Sequence, residues 1–206
     1  MPRKKPDDLK AAVVDEAFAV IADEGLDNLS LREIARRLGV SHQAPYKHFP
    51  SRDHILAAVV ARCFARFAEA LEDRPATEDP FADLGNMGLT YLDFAEREPL
   101  AYRLMFNTPL PDGAAHPDML ARARHAFELL HARLETLPLR DPEHAIADPN
   151  KHDALFIWSA LHGLASLMQS DATKTVGLSD AEKTVAVERL MRRLGMALAP
   201  ADQHPG

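Results

Sequence analysis

The chain has 206 residues, a formal net charge of −7 and a single cysteine, Cys63. That length suits one or two small domains with a sizeable core, while one cysteine excludes an intramolecular disulfide and argues against a cysteine-rich metal site. No apolar run approaches the roughly 18–20 residues that span a bilayer, and the start of the chain lacks the apolar segment of a signal peptide, so no membrane partner and a cytoplasmic location are expected.

Helical periodicity fits every long segment, and no alternating run with hairpin turns interrupts it, so the expected fold is all-α. Asp7 or Asp8 can cap a first helix running to about Glu24, with Leu9, Ala12, Val13, Ala17, Val20 and Ile21 on one stripe and Gly25 at its end. Ser30 followed three residues later by Glu33 reads as a capping box, so a second helix starts at Leu31. Leu31, Ile34, Ala35 and Leu38 share its buried face, and Gly39 stops it by adopting positive φ at no steric cost. Ser41 is placed to cap another short helix, which carries polar, hydrogen-bonding side chains where a buried helix would carry leucines. Two short helices joined this way are a helix-turn-helix, whose second helix enters the DNA major groove.

A longer helix from Ser51 to about Asp73 follows, carrying Ile55, Leu56, Val59, Cys63, Phe67 and Leu71 and linking this head to a body. Prolines then punctuate the chain. Pro75 and Pro80 precede a helix near Phe81–Arg97, and Pro99 opens a short one to Phe106. A Pro/Gly-rich loop leads to a helix near Asp118–Leu137, and Pro138, Pro142 and Pro149 bound a second loop. The last two helices run about Asn150–Ser170 and Ser179–Ala199. The first of these is apolar nearly all round, which requires partners on more than one side.

Ser30–Phe49, with Pro50-Ser51-Arg52-Asp53 after it, closely resembles the N-terminal DNA-binding domain of TetR-type transcriptional repressors: Gly39-Val40-Ser41, Tyr46, His48-Phe49 and the next helix starting at Ser51 match the family's pattern. Pro45 departs from it, standing where an aliphatic residue is usual and removing one backbone donor near the helix start. The resemblance covers roughly residues 9–62 and implies a homodimer with an all-helical C-terminal ligand domain, its DNA binding relieved by ligand. Trp158 to His162-Gly163 also resembles the Trp…His-Gly signature of one TetR C-terminal subgroup. The expected organisation is therefore a three-helix head in residues 1–50 on a larger helical effector-binding and dimerisation body in residues 51–200, paired through the last two helices.

The acidic net charge does not oppose this. Residues 1–60 balance nine Lys/Arg against nine Asp/Glu, so the excess acid lies beyond the helix-turn-helix, and phosphate binding depends on local basic groups such as Arg36, Lys47 and Arg52. Base reading falls to His42, Gln43 and Ala44, since Gln pairs with adenine edges and Ala meets the thymine methyl. Ser41, Tyr46, Lys47 and His48 are placed for phosphates, with Ser30 counted beside them, and the tail Arg3-Lys4-Lys5 can reach into the minor groove. Phe49 reads as core. The bulky set Met87, Tyr91, Phe94, Tyr102, Met105, Phe106, Phe127, Phe156, Trp158 and His162 makes a small, largely apolar or aromatic effector the expected ligand, with His162 as its polar contact and plain core packing as the rival reading.

The ten histidines show no metal-ligand spacing, and Gly-x-Ser-x-Gly, phosphate-loop and dinucleotide signatures are missing, so no metal, cofactor or catalytic residue is expected. The function read here is a ligand-released DNA-binding regulator acting on a pseudo-palindromic double-stranded operator. Its rivals are a helical small-molecule carrier or enzyme with a vestigial head, and a module that uses the exposed helix against another protein.

Overall fold

The computed structural model of the chain describes residues 8–75, 77–137 and 149–198. Among these residues it holds nine α-helices and no strand: α1 (Leu9–Glu24), α2 (Leu31–Leu38), α3 (Arg52–Glu72), α4 (Pro80–Arg97), α5 (Pro99–Phe106), α6 (Pro117–Leu134), α7 (Pro149–Gln169), α8 (Ala172–Thr175) and α9 (Asp180–Leu198), with 3₁₀ turns at Leu26–Asn28 and Pro45–Lys47. No described helix is long and apolar enough to cross a membrane. The helices pack as two units, one made of residues up to Arg66 with Leu100–Arg124, the other of Phe67–Pro99 with the residues from His125 onward.

In the first unit, local cap chemistry sets the helix ends. The Asp8 carboxylate accepts the Ala11 N–H at 3.1 Å, and α1 buries Val13, Val14, Ala17, Val20 and Ile21 before ending at Gly25 with φ 87°. Ser30 Oγ accepts the Glu33 N–H at 3.1 Å, and Gly39 closes α2 in the left-handed region at φ 66°. Only half of the expected capping box forms, because the Glu33 carboxylate is taken by Arg36 and Arg37.

The expected second helix of the pair is not an α-helix. Residues 42–44 form a turn and Pro45–Lys47 a single 3₁₀ turn, and no side chain caps it, so Ser41 acts through its carbonyl, which accepts the Ala44 N–H at 2.9 Å. Pro45 has no N–H to give to the Ser41 carbonyl, the bond with which an α-helix would begin. Ser51 heads α3, accepting the His54 N–H at 3.4 Å, and α3 buries Ile55, Leu56, Val59, Val60 and Phe64 in this unit. From α5, Tyr102, Leu104 and Met105 are buried.

In the second unit α4, α7 and α9 pack on one another. Asp79 caps α4, its carboxylate accepting the Phe81 N–H at 2.9 Å. α6 ends at Leu134 rather than Leu137, because the Thr136 and Leu137 N–H groups turn back to the carbonyls of Arg133 and Leu134. α9 starts with a complete capping box: the Ser179 hydroxyl accepts the Glu182 N–H at 3.3 Å and the Glu182 carboxylate accepts the Ser179 N–H at 2.8 Å. The Ser179 hydroxyl, donating to Glu182 Oε2 at 2.6 Å, and then the Ser179 N–H hold the Glu182 carboxyl below its usual range. α7 buries only Ala154, Ile157, Leu161 and Ala165 on one side. Asp83, 3% exposed, stands between two guanidiniums: Arg74 donates to its Oδ2 at 2.5 Å, and Arg133 Nε lies 2.8 Å from the same oxygen.

Candidate nucleic-acid interface and effector body

The head presents a polar edge on an apolar anchor. Pro45 and Phe49 are buried, whereas Ser41, His42, Gln43, Tyr46, Lys47 and His48 are exposed, Tyr46 by 46%, and Ala44 is half-buried. Ser30 is exposed beside α2. The tail Arg3-Lys4-Lys5 and most of the expected loop from Pro138 to Pro149 lie outside the described residues.

Two of the basic side chains expected to face phosphate are engaged within the head. Arg52 donates to the carbonyls of Leu26 at 2.7 Å and Leu29 at 3.2 Å, tying the start of α3 to the turn before α2. Arg36 pairs with Glu33 at 2.5 Å. Arg37 ties α1 to α2, its guanidinium meeting Asp23 at 2.8 Å and Glu33 at 3.1 Å, with Glu24 also in contact. Lys47 is the basic residue of the turn itself.

The Arg36 hydrogen bond, with help from Arg37, holds the Glu33 carboxyl down to about 2. The folded carboxylate therefore stays ionised at pH values where the unfolded chain takes up a proton. Head stability from this group is fully present above the ordinary carboxylate range of about 4.3 and is lost as pH falls through about 2. Thermal unfolding of Glu33→Gln should accordingly show a shallower stability loss between pH 5 and pH 2 than the parent chain; parallel curves would remove Glu33 from this role.

In the second unit six of the expected effector residues come together or are buried nearby. Tyr91 Oη lies 3.2 Å from His162 Nδ1, the Trp158 and His162 rings are 6.3 Å apart, and Phe127 meets Trp158 edge-on at 6.1 Å. Tyr91 and Phe94 both pack edge-on against Phe67, at 5.3 and 5.1 Å, and Met87 is buried on the same helix. Burial pushes the His162 imidazole below its ordinary value, favouring the neutral ring.

The other four residues of the set stand elsewhere. Tyr102, Met105 and Phe106 belong to the first unit, where Phe106 packs on Tyr102 at 5.0 Å and edge-on to Phe64 at 5.7 Å. Phe156 is 49% exposed. With Ser159, Gly163 and Leu167, the last 52% exposed, it lies on the open side of α7 at helical spacing, and α9 exposes Val185 and Met196.

Sequence reasoning missed two features of the second unit. Phe67 joins the aromatic group from a helix read as a linker. Between α4, α7 and α9 there is also a small cleft of about 50 Å³, lined by the apolar side chains of Phe81, Leu84, Ile157, Leu161, Met191 and Leu194. Gly88 leaves room there for the end of the Met191 side chain: a Cβ at this position would stand 2.6 Å from Met191 Cε. Glycines 85, 88 and 195 along the cleft were the available signal.

A short helix, a left-handed glycine and an exposed polar turn held on a three-helix core define a helix-turn-helix regulator. A family description for the bacterial regulatory proteins of the tetR family matches residues 13–59, and one for the tetracyclin repressor-like C-terminal domain matches residues 84–194. The chain belongs to the TetR family of transcriptional regulators.

The HTH-type transcriptional regulator Rv1816 of Mycobacterium tuberculosis is 30% identical over 124 residues, 58% of this chain and 52% of that protein, so the chain spans about half the length of this relative. The HTH-type transcriptional repressor DrrR1 of Streptomyces coeruleorubidus is 29% identical over 82% of this chain and 58% of its own length. A crystal structure of a tetR-family bacterial regulatory protein from Rhodococcus RHA1 superposes with a TM-score of 0.66 over 96% of this chain and 100% of that chain; at 17% identity it speaks for the fold alone. These relatives are regulators, not enzymes.

Proposed function

We propose that the protein is a cytoplasmic repressor that binds a pseudo-palindromic double-stranded operator as a homodimer and is released by a small, largely apolar effector. The exposure of a polar turn beside two buried anchors, Pro45 and Phe49, carries the DNA half of this reading. His42, Gln43 and Ala44 read base edges in the major groove, while Ser30, Ser41, Tyr46, Lys47 and His48 fix the register on phosphates and Arg3-Lys4-Lys5 follow the minor groove. The homodimer forms through α7 and α9, whose exposed apolar side chains offer a self-complementary face. DrrR1, named a repressor, supports the sign of regulation.

The effector is held in the second unit against the Tyr91–His162 pair and its aromatic neighbours, with Met87, Phe94, Phe127 and Trp158 as walls. Trp158, His162 and Gly163 on one helix support the Trp-His-Gly subgroup. Release requires the effector to bind the DNA-free arrangement of the heads more tightly than the bound one.

Two substitutions test the DNA half. With an operator obtained by selection from random duplexes, Gln43→Ala should cost about 5- to 150-fold in affinity and relax preference at one base position of each half-site. Lys47→Ala should weaken binding to all sequences alike and lower the salt slope by about one per head. If the parent chain retains no duplex in a salt-dependent way, the reading fails.

A further inference from the structure

The segment that faces DNA is built on a different hydrogen-bond path from an α-helix, and one residue accounts for it. Ala44 N–H reaches back three residues to the Ser41 carbonyl at 2.9 Å, Lys47 N–H three to Ala44 at 3.4 Å, and His48 N–H three to Pro45 at 3.0 Å. Only Phe49 N–H spans four residues, to Pro45 at 2.9 Å. Pro45 has no N–H, and it is the buried residue of this turn, which packs on α1 and α2. It therefore both seats the segment and withholds the donor that would close its first α-helical turn.

This choice of path changes which side chains stand together. On an α-helix, residues four apart lie about 40° apart around the axis and about 6 Å along it, so Gln43 and Lys47 would share a face. On an i→i+3 path residues three apart eclipse and each residue rises about 2 Å, so the three-residue bonds of Ala44 and Lys47 draw Gln43 towards the line of Tyr46 and away from that of Lys47.

We propose that Pro45 is the positioning residue for base recognition: by withholding its own N–H it leaves Ala44, Lys47 and His48 on three-residue bonds and so sets which base edge Gln43 meets, without touching a base itself. This rests on the DNA-binding reading above. It predicts that the operator preferred by this protein is written partly by a buried ring.

The test uses the whole 206-residue chain and a pool of random duplexes, from which preferred sequences are selected for the parent chain, Pro45→Ala and Pro45→Leu. Leucine keeps apolar bulk in the buried site while restoring the N–H. Thermal unfolding checks that each variant is folded. Both variants are expected to retain salt-dependent binding with a slope within about one of the parent, while the preferred bases change at the half-site positions that Gln43→Ala affects.

Combining Gln43→Ala with Pro45→Leu should give a cost that differs by at least about fivefold from its cost in the parent, as expected for residues coupled through one backbone segment. An unchanged preferred sequence with a uniform affinity loss would make Pro45 a packing residue only and overturn the proposal. So would failure of both variants to fold. A parent chain that selects no sequence at all instead overturns the DNA-binding reading, which separates the two failures.

Discussion

Replacing Asp83 with asparagine should destabilise the second unit by about 3 kcal/mol, the lower end of the range for breaking a buried ion pair. The side chain keeps its size and loses only its charge, so the effect isolates electrostatics from packing. Arg74 and Arg133 converge on one oxygen of Asp83, at 2.5 and 2.8 Å, and the Asp83 side chain is 5% exposed. Without the carboxylate two guanidiniums face each other across a site that water reaches poorly. The two arginines are 13% and 24% exposed, which allows partial rehydration and keeps the expected loss from the upper end of the range. Urea unfolding at fixed protein concentration measures it, since self-association would otherwise shift the midpoint. Replacing all three residues with leucine or methionine should recover most of the loss, because apolar side chains of similar volume need no counter-charge. A loss under about 1 kcal/mol for Asp83→Asn would place the triad among surface pairs of little consequence.

Helix positions were legible in the sequence because caps are local chemistry. Asp8 and Ser30 accept the first N–H groups of their helices from three residues away, and Gly25 and Gly39 mark ends by their backbone conformation. What escaped was set by partners far along the chain or by competition for one side chain. Glu33 had the spacing of a capping box, but arginines one turn on took its carboxylate, while Ser179 and Glu182, with the same spacing and no such competitor, form the complete box. Arg52 carries a charge suited to phosphate, yet two carbonyls 23 and 26 residues earlier hold it, a choice invisible to any local pattern.

The candidate effector residues were legible as bulky and aromatic, but periodicity does not say which helices meet. Tyr102 and Phe106 pack with Phe64 in one unit, Tyr91 and Phe94 with Phe67 in the other. α8 was missed because four residues are too few for a periodic signal. Pro45 was the reverse case. The residue was conspicuous from the start, and its missing N–H is what turns the expected recognition helix into one 3₁₀ turn.

The second large effect concerns the open side of α7, where Phe156 and Leu167 stand 49% and 52% exposed. On the proposed pairing through α7 and α9, Phe156→Asp combined with Leu167→Asp should convert the protein to monomers and lower affinity for a full operator about 10²- to 10⁴-fold, while affinity for a half-site stays near the parent's. In a two-fold interface every substitution appears on both sides, so two aspartates per chain place four carboxylates in one apolar contact. Neither side chain belongs to the buried set of α7, so the fold loses little on their replacement. The operator affinity falls because the second head must then bind as an independent molecule instead of being delivered by the first. Sedimentation equilibrium gives the oligomeric state, and binding to full and half operators separates loss of pairing from damage to the head. If the variant remained dimeric, α7 would have to use those side chains for something other than pairing with a second copy of the chain; half-site and full-site affinities falling together would instead mean damage to the head.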